Sequence, residues 1–348
     1  MAIPALRAIR QKFGNAEIIM LCQNWAPKVL KDSNLVDNYR IINVPWTRAA
    51  DRRIVSISKL IKTTLSLRKE KIDLGIHFRG DPRSLFLMYL SGAKKRISYG
   101  EYYAPHGNDW MRKILGRQFL TDIVPIQYKG SHIMDWSIGV AKYLCGENED
   151  INNTLLHISN AAALYVNHFF KKLNIIPDNE IIVGIHPGYG NKTRAWEIEK
   201  WENIIKYLQK NKTSTRVLVF GSMADKELVD KLVMNNHNVI SVMEPLEFLP
   251  AFIKLCKLMI CLDSSASHIA AAVDTPSVVL FGPNEPYISA PKSDKANIII
   301  KEGFDCRPCL QKGCPYSTDK EIGACMEAIS VSDVIRSVDN NIQYDLIN

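Results

Sequence analysis

No apolar run in this chain reaches the ~18 residues that a membrane-spanning helix requires, so a helical membrane anchor is not expected within it. The N-terminus, MAIPALRAIRQKF, lacks a long apolar core and a small-residue cleavage site, and no secretion signal is read there. The expected location is the cytoplasm, where thiols stay reduced. The chain has no repeat at solenoid periods and no low-complexity tract. No His or carboxylate cluster accompanies its cysteines, which argues against an open catalytic metal site. Its basic residues are spread and form no recognition motif, which argues against nucleic acid as a partner.

What is present is an ordinary globular composition, with 47% hydrophobic and 23% charged residues among 348. That length suits two domains and needs no staples. The net charge of +8 suits an anionic membrane surface or a phosphorylated substrate, and equally a plain basic surface.

Short β-branched apolar runs, each followed by a turn and a helical period, dominate the chain. AEIIMLC and KIDLGIHF belong to a first series. IIVGIHPG, TRVLVFGS, NVISV, LMICLD and SVVLFG form a second. Amphipathic segments lie between them, at 196–209, 225–234 and 246–256. This alternation predicts α/β architecture with parallel sheets covered on both faces. The series restarts near Ile181 after the polar stretch LNIIPDNE, which predicts domains over residues 1–174 and 175–348. The last helix is a candidate to return to the N-terminal domain. Ligands of such folds bind at the carboxyl ends of strands. The loops HPGYGNKTR, FGSMAD, LDSSASH and FGPNEP all follow strands, so they should crowd one rim.

Five features can carry chemistry. In HPGYGNKTR, Gly188 and Gly190 allow positive φ and close backbone approach to a ligand, while Lys192 and Arg194 add positive charge before a helix N-terminus. Together they suit a diphosphate; a glycine turn with solvated cations is the bland alternative. In LDSSASH, Asp263 ends a buried strand, and Ser264 or Ser265 can cap the next helix or leave its first amides for phosphate. His268 shares a helical face with Ser264. In FGSMAD, Ser222 and Asp225 can accept from ribose hydroxyls or cap a helix. The cysteines Cys306, Cys309, Cys314 and Cys325 can build a structural zinc site or remain reduced thiols. Cys22, Cys145, Cys256 and Cys261 read as small scattered core residues. In the N-terminal half, Arg79, Arg83, Lys94, Lys95 and Arg96 form a basic stretch, with His77 and Asp81 nearby.

Taken together, HPGYGNKTRAW, FGSMAD and CLDSSASHIAAAVDTPSVVLFGPNEP resemble glycosyltransferase family nine, the ADP-heptose lipopolysaccharide heptosyltransferases. The cysteine tail looks like that of many members, and PALRAIRQKF, DLGIHFRGDPRS and SGAKKRISYG agree more loosely. The resemblance implies a GT-B fold, two Rossmann-like domains facing across a cleft. It implies inverting transfer with no metal required. The nucleotide-sugar donor, ADP-heptose, would sit in the C-terminal domain. The acceptor, a phosphorylated glycolipid such as a lipopolysaccharide core, would meet the N-terminal domain through Arg79 and Arg83, with peripheral contact at the inner membrane's cytoplasmic face. By position, Asp263, Ser264, Ser265 and His268 match the family's donor-phosphate and sugar motif. Arg194 stands where members carry lysine, and Lys192 can share that role. Asp225 matches a ribose-contacting acid, and Glu244 lies near the position whose backbone contacts the base.

Two departures accompany the resemblance. Ser265 replaces a glycine, which narrows the room for the sugar. Family members also begin with a strand and a Gly-Asp loop whose aspartate serves as the base. This sequence starts inside the helix that follows, at PALRAIR. The expectation is a longer natural chain. A degraded gene product and another acid in the role, such as Asp81, are the alternatives. A nucleotide-sugar-binding protein without catalysis is the rival function, and a basic nucleic-acid-binding protein with a zinc module ranks behind it.

Overall fold

The computed structural model describes residues 1–44, 56–101, 116–128, 130–146, 154–177, 180–211, 215–234, 236–309, 313–317 and 321–344. The chain divides into two compact units, Met1–Asn153 and Thr154–Asn348. Among the described residues, no helix is long and apolar enough to cross a membrane.

In the first unit, β1 (Ile19–Cys22) pairs in parallel with β2 (Asn38–Ile41). A second parallel sheet holds β3 (Leu74–Ile76), β4 (Lys95–Tyr99) and β5 (Asp122–Val124), with β4 in the middle. The described helices are α1 (Ile3–Lys12), α2 (Ala26–Leu30), α3 (Ile57–Ser66), α4 (Pro82–Leu90) and α5 (Ile133–Cys145). Ala5 and Ala8 of α1 meet Ala141 of α5, small residues that let the two helices pack closely. Ile97, Tyr99, Val124, Trp136 and Val140 fill the core beside the three-stranded sheet. The buried Tyr99 hydroxyl is satisfied by the Trp136 carbonyl at 3.1 Å.

The second unit contains β6 (Ile181–His186), β7 (Thr215–Phe220), β8 (Val239–Val242), β9 (Leu258–Leu262), β10 (Ser277–Phe281) and β11 (Ala296–Ile300). They form a parallel six-stranded sheet in the order β11-β10-β9-β6-β7-β8. This is the doubly wound dinucleotide-binding order, and chain direction across the sheet reverses between β6 and β9. Every residue of β9 and β10 is buried, which is why these strands read as continuous apolar runs instead of alternating ones.

The helices of this unit are α6 (Asn160–Lys172), α7 (Ile198–Asn211), α8 (Lys226–Met234), α9 (Leu249–Leu255), α10 (Ser265–Ala272), α11 (Pro286–Ser289), α12 (Ala324–Glu327) and α13 (Val331–Tyr344). The division at 153/154 falls before the sequence-based one at 174/175 because α6 packs on the second unit. Phe169 and Phe170 of α6 contact Phe252 of α9, and the Leu156 amide donates to the Ala272 carbonyl at 2.6 Å. The last helix, α13, packs on elements of its own unit. It lies on α7, where the Tyr207 hydroxyl meets the Asp339 carboxylate at 2.7 Å. Strands β2, β4, β5 and β11 are additions to the series read from sequence. The first two are largely polar, β5 is three residues long, and β11 is a partly exposed edge.

Candidate functional site

Strand order brings the expected loops together at one crevice. His186, the last residue of β6, is in register with Cys261 of β9, so the loops after these strands leave the sheet side by side at the reversal point. The loops after β7 and β10 flank them.

In the loop after β6, neither Gly188 nor Gly190 has positive φ, contrary to the freedom expected of them. Gly188 is required instead for close approach: a Cβ there would lie 2.9 Å from Asp225 Oδ1 and 3.1 Å from His186 Cε1. The same loop ends in a short turn, Lys192–Arg194, capped by Asn191. Lys192 pairs with Glu321 at the protein surface.

Arg194 points inward. Its guanidinium stands 3.3 Å from Asp263 Oδ2 and donates to the Asn284 side-chain oxygen at 3.2 Å. The Asn284 amide nitrogen donates to the same Asp263 oxygen. Only 10% of the Asp263 side chain is exposed, and burial pushes its carboxyl above the usual range, opposed by Arg194 and Asn284.

Ser264 occupies the N-cap of α10, but its side chain makes no capping bond. Its hydroxyl is buried and has no protein partner. Ser265 begins the helix and is exposed; Ser267 is buried and donates to the Ser264 carbonyl at 2.8 Å. The first amides of α10 and an unengaged hydroxyl thus sit beside Arg194's partner Asp263, an arrangement suited to an anion. His268 lies one turn along α10 and is half-buried.

Ser222 and Asp225 close the turn after β7 on themselves. Asp225 Oδ2 accepts from the Ser222 amide at 2.9 Å and hydroxyl at 2.7 Å, while Oδ1 faces Gly188. Asp225 therefore both caps and fronts the loop after β6. His186 Nδ1 is buried without a hydrogen-bond partner; burial depresses its basicity against the pull of Asp225, which favours neutral imidazole. Glu244, beyond β8, accepts from the Tyr165 hydroxyl, and the Tyr165 ring stacks on Phe248 at 3.7 Å.

The first unit gives a different account of its candidates. Asp81 caps α4 by accepting from the Arg83 amide at 3.0 Å, and Arg83 grips both its oxygens, at 3.0 and 2.6 Å. Burial raises the Asp81 carboxyl, but Arg83 outweighs it and the net shift is downward, which makes Asp81 a poor proton acceptor. Arg83 is committed to that carboxylate, Lys94 to Asp73, and Arg96 to the carbonyls of Ala93 and Phe119. Arg79 is exposed and lies over the Trp136 ring at 5.6 Å. The carboxyl ends of β4 and β5 border a cavity of about 220 Å³ lined by Tyr99, Glu101, Arg117 and Ile126.

Cys306, Cys309, Cys314 and Cys325 form no disulfide, and among the described residues no three His, Cys, Asp or Glu side chains stand close enough to hold a metal ion. The tail braces the site. The Cys309 amide donates to the Pro283 carbonyl at 2.7 Å, and the Gly323 amide donates to the Thr193 carbonyl at 3.1 Å.

A family model described as glycosyltransferase family 9 (heptosyltransferase) matches residues 60–319. The chain belongs to this family. The lipooligosaccharide heptosyltransferase 2 of Campylobacter jejuni serotype O:2 is 24% identical over 98% of this chain and 93% of its own length. A solved family 9 glycosyltransferase from Veillonella parvula superposes with a TM-score of 0.78 at 19% identity, covering 98% of this chain and 92% of that one. The Escherichia coli ADP-heptose lps heptosyltransferase II gives 0.73 at 16% identity over 99% and 95%. Family 9 enzymes are transferases of the GT-B fold class, and the two α/β units with parallel sheets agree with that.

Sequence reasoning missed Asn284, Tyr165 and His186 as site members. Asn284 and His186 lie inside motifs already singled out, at or just beyond the carboxyl ends of strands, where any polar side chain is a candidate. Tyr165 carries no local signal, since it meets Glu244 across 79 residues of chain.

Proposed function

We propose that this family 9 glycosyltransferase moves a heptose from ADP-heptose onto a lipopolysaccharide core or related glycolipid, with inversion at the anomeric carbon. The observation that carries this reading is the meeting of Arg194, Asp263, Asn284 and the Ser264 hydroxyl at the N-terminus of α10. The acceptor hydroxyl attacks the anomeric carbon as that carbon's bond to the diphosphate breaks, and the hydroxyl proton passes to solvent. The electron pair departs on the diphosphate, and Arg194, Lys192 and the first amides of α10 are the groups we assign to steady it. These cations take the part often given to a metal, so none is needed in this scheme. Asp225 is assigned to the ribose, Glu244 and its partner Tyr165 to the base edge, and Ser265 and His268 to the sugar. Arg79 and the cavity beside Arg117 are assigned to the acceptor's anionic and sugar groups, delivered from a membrane surface.

Incubation of the purified protein with ADP-heptose and heptose-deficient core glycolipid, followed by mass spectrometry of the lipid, tests the reading. The expected result is a glycolipid heavier by one heptosyl unit, with ADP released in equal amount. Release of ADP without modified lipid would remove the acceptor assignment, and failure to bind ADP would remove the donor assignment.

A further inference from the structure

The loop after β10 enters the site through one side chain. Asn284 donates its amide to Asp263 Oδ2 and accepts from Arg194 at 3.2 Å, while Arg194 and Asp263 face one another directly at 3.3 Å. One neutral amide thus bridges an acid and a base that are already paired. We propose that Asn284 is a positioning residue of the donor site, which keeps Asp263 satisfied so that Arg194 can turn toward the donor's diphosphate. This deepens the donor-site reading above and rests on it.

The argument follows from burial and donor count. A carboxylate with a tenth of its side chain exposed must be partnered or it disfavours the folded, charged state. If Arg194 were the only partner, drawing it to a diphosphate would strip Asp263 of compensation, and the donor would bind against that cost. The Asn284 amide is uncharged and is not pulled away by phosphate. It therefore stays on Asp263 when Arg194 moves. Arginine offers five N–H donors in a plane, so the Asn284 oxygen can hold one edge of that plane while another meets the ligand.

Asn284 is itself held in place from outside the loop. The Cys309 amide ties the preceding Pro283 carbonyl. Gly282 sits against Met326 and Cys325 with no room for a Cβ. The other side of the bridge is tied by the same tail, through Gly323 to Thr193 and Glu321 to Lys192. The tail after β11 therefore ties two of the three loops that supply the bridge, those of Arg194 and Asn284.

The test is calorimetric titration of ADP, with donor KM and kcat, on the full chain and on N284A, N284S, D263N and the D263N/N284A double variant. Wild type binds ADP. N284A weakens ADP binding and raises donor KM by about tenfold, with kcat changed far less, because the lost bond acts on a buried charge. N284S, whose hydroxyl still donates, recovers most of that loss. In the D263N background the N284A change adds less than about twofold, because no charge remains to compensate. Asn284→Leu, similar in volume and without hydrogen bonds, carries the same expectation should the alanine variant fail to fold. Wild-type affinity in N284A or the leucine variant, or a full tenfold effect persisting without the Asp263 charge, overturns the role of Asn284. Absence of any wild-type binding of ADP, UDP, GDP or CDP is a separate result that overturns the donor site and this role with it.

Discussion

Asp225 holds Ser222 twice, accepting its amide at 2.9 Å and its hydroxyl at 2.7 Å on a single oxygen, and so leaves its other oxygen against Gly188. Substitution of Gly188 by alanine puts a methyl 2.9 Å from that second oxygen, in a place where the backbone and a doubly bonded carboxylate cannot both give way. Overpacking of this kind costs about 1–3 kcal/mol. The expected outcome for Gly188→Ala is a lower melting temperature together with a raised donor KM. An unchanged melting curve would show that the loop after β6 moves freely.

Arg194→Ala removes the only cationic partner of the buried Asp263 carboxylate among the described residues, and one of the two cations assigned to the diphosphate. The expected loss in kcat/KM is about a hundredfold, of the size seen when a charge-stabilising donor is deleted. Arg194→Lys should recover part of it, since lysine keeps the charge but not the planar fork. Steady-state kinetics with ADP-heptose, backed by a circular dichroism spectrum, decides the matter.

Tyr165→Phe keeps the ring stacked on Phe248 and deletes only the hydroxyl bonded to Glu244. The contact is solvent-exposed, so little stability is at stake. If Tyr165 orients Glu244 at the base edge, donor KM should rise about threefold with kcat unchanged, the loss of a modest hydrogen bond. Equal KM for ADP-heptose in both proteins would leave Glu244 without a role.

His77 predicts an acid-sensitive first unit. Its Nδ1 accepts from the Gly80 amide at 3.0 Å, a bond that neutral imidazole makes and imidazolium does not, and Gly80 reaches it at φ +68°. Burial lowers its pKa from 6.5 to about 4. The unfolded chain therefore binds more protons at this residue between those values. Its contribution is whole above pH 6.5 and is lost as pH falls toward about 4, at up to about 1.4 kcal/mol per pH unit. Urea denaturation at several pH values should show this slope, and His77→Asn, whose carbonyl can still accept from Gly80, should flatten it.

Much of the second unit was legible in the chain because its signals are local. LMICL and SVVLF announce strands buried on both faces, and the turns after them announce a rim. The first unit was harder. NYRI and KRISY are strands rich in polar residues, and nothing short-range separates them from loop. The basic stretch illustrates the same limit: Arg83, Lys94 and Arg96 look alike in sequence, yet each is spent on a different structural partner.

The chain alone determined where strands end and which loops carry glycine, serine and cationic side chains, since strand propensity and turn chemistry act over a few residues. Only the tertiary structure decided that Arg194, Asp263 and Asn284 form one bridge. Asn284 lies 90 residues from Arg194 and 21 from Asp263, and the sheet order β10-β9-β6 makes them neighbours. Which strand pairs with which is set by burial of the whole apolar surface, a property of no single segment.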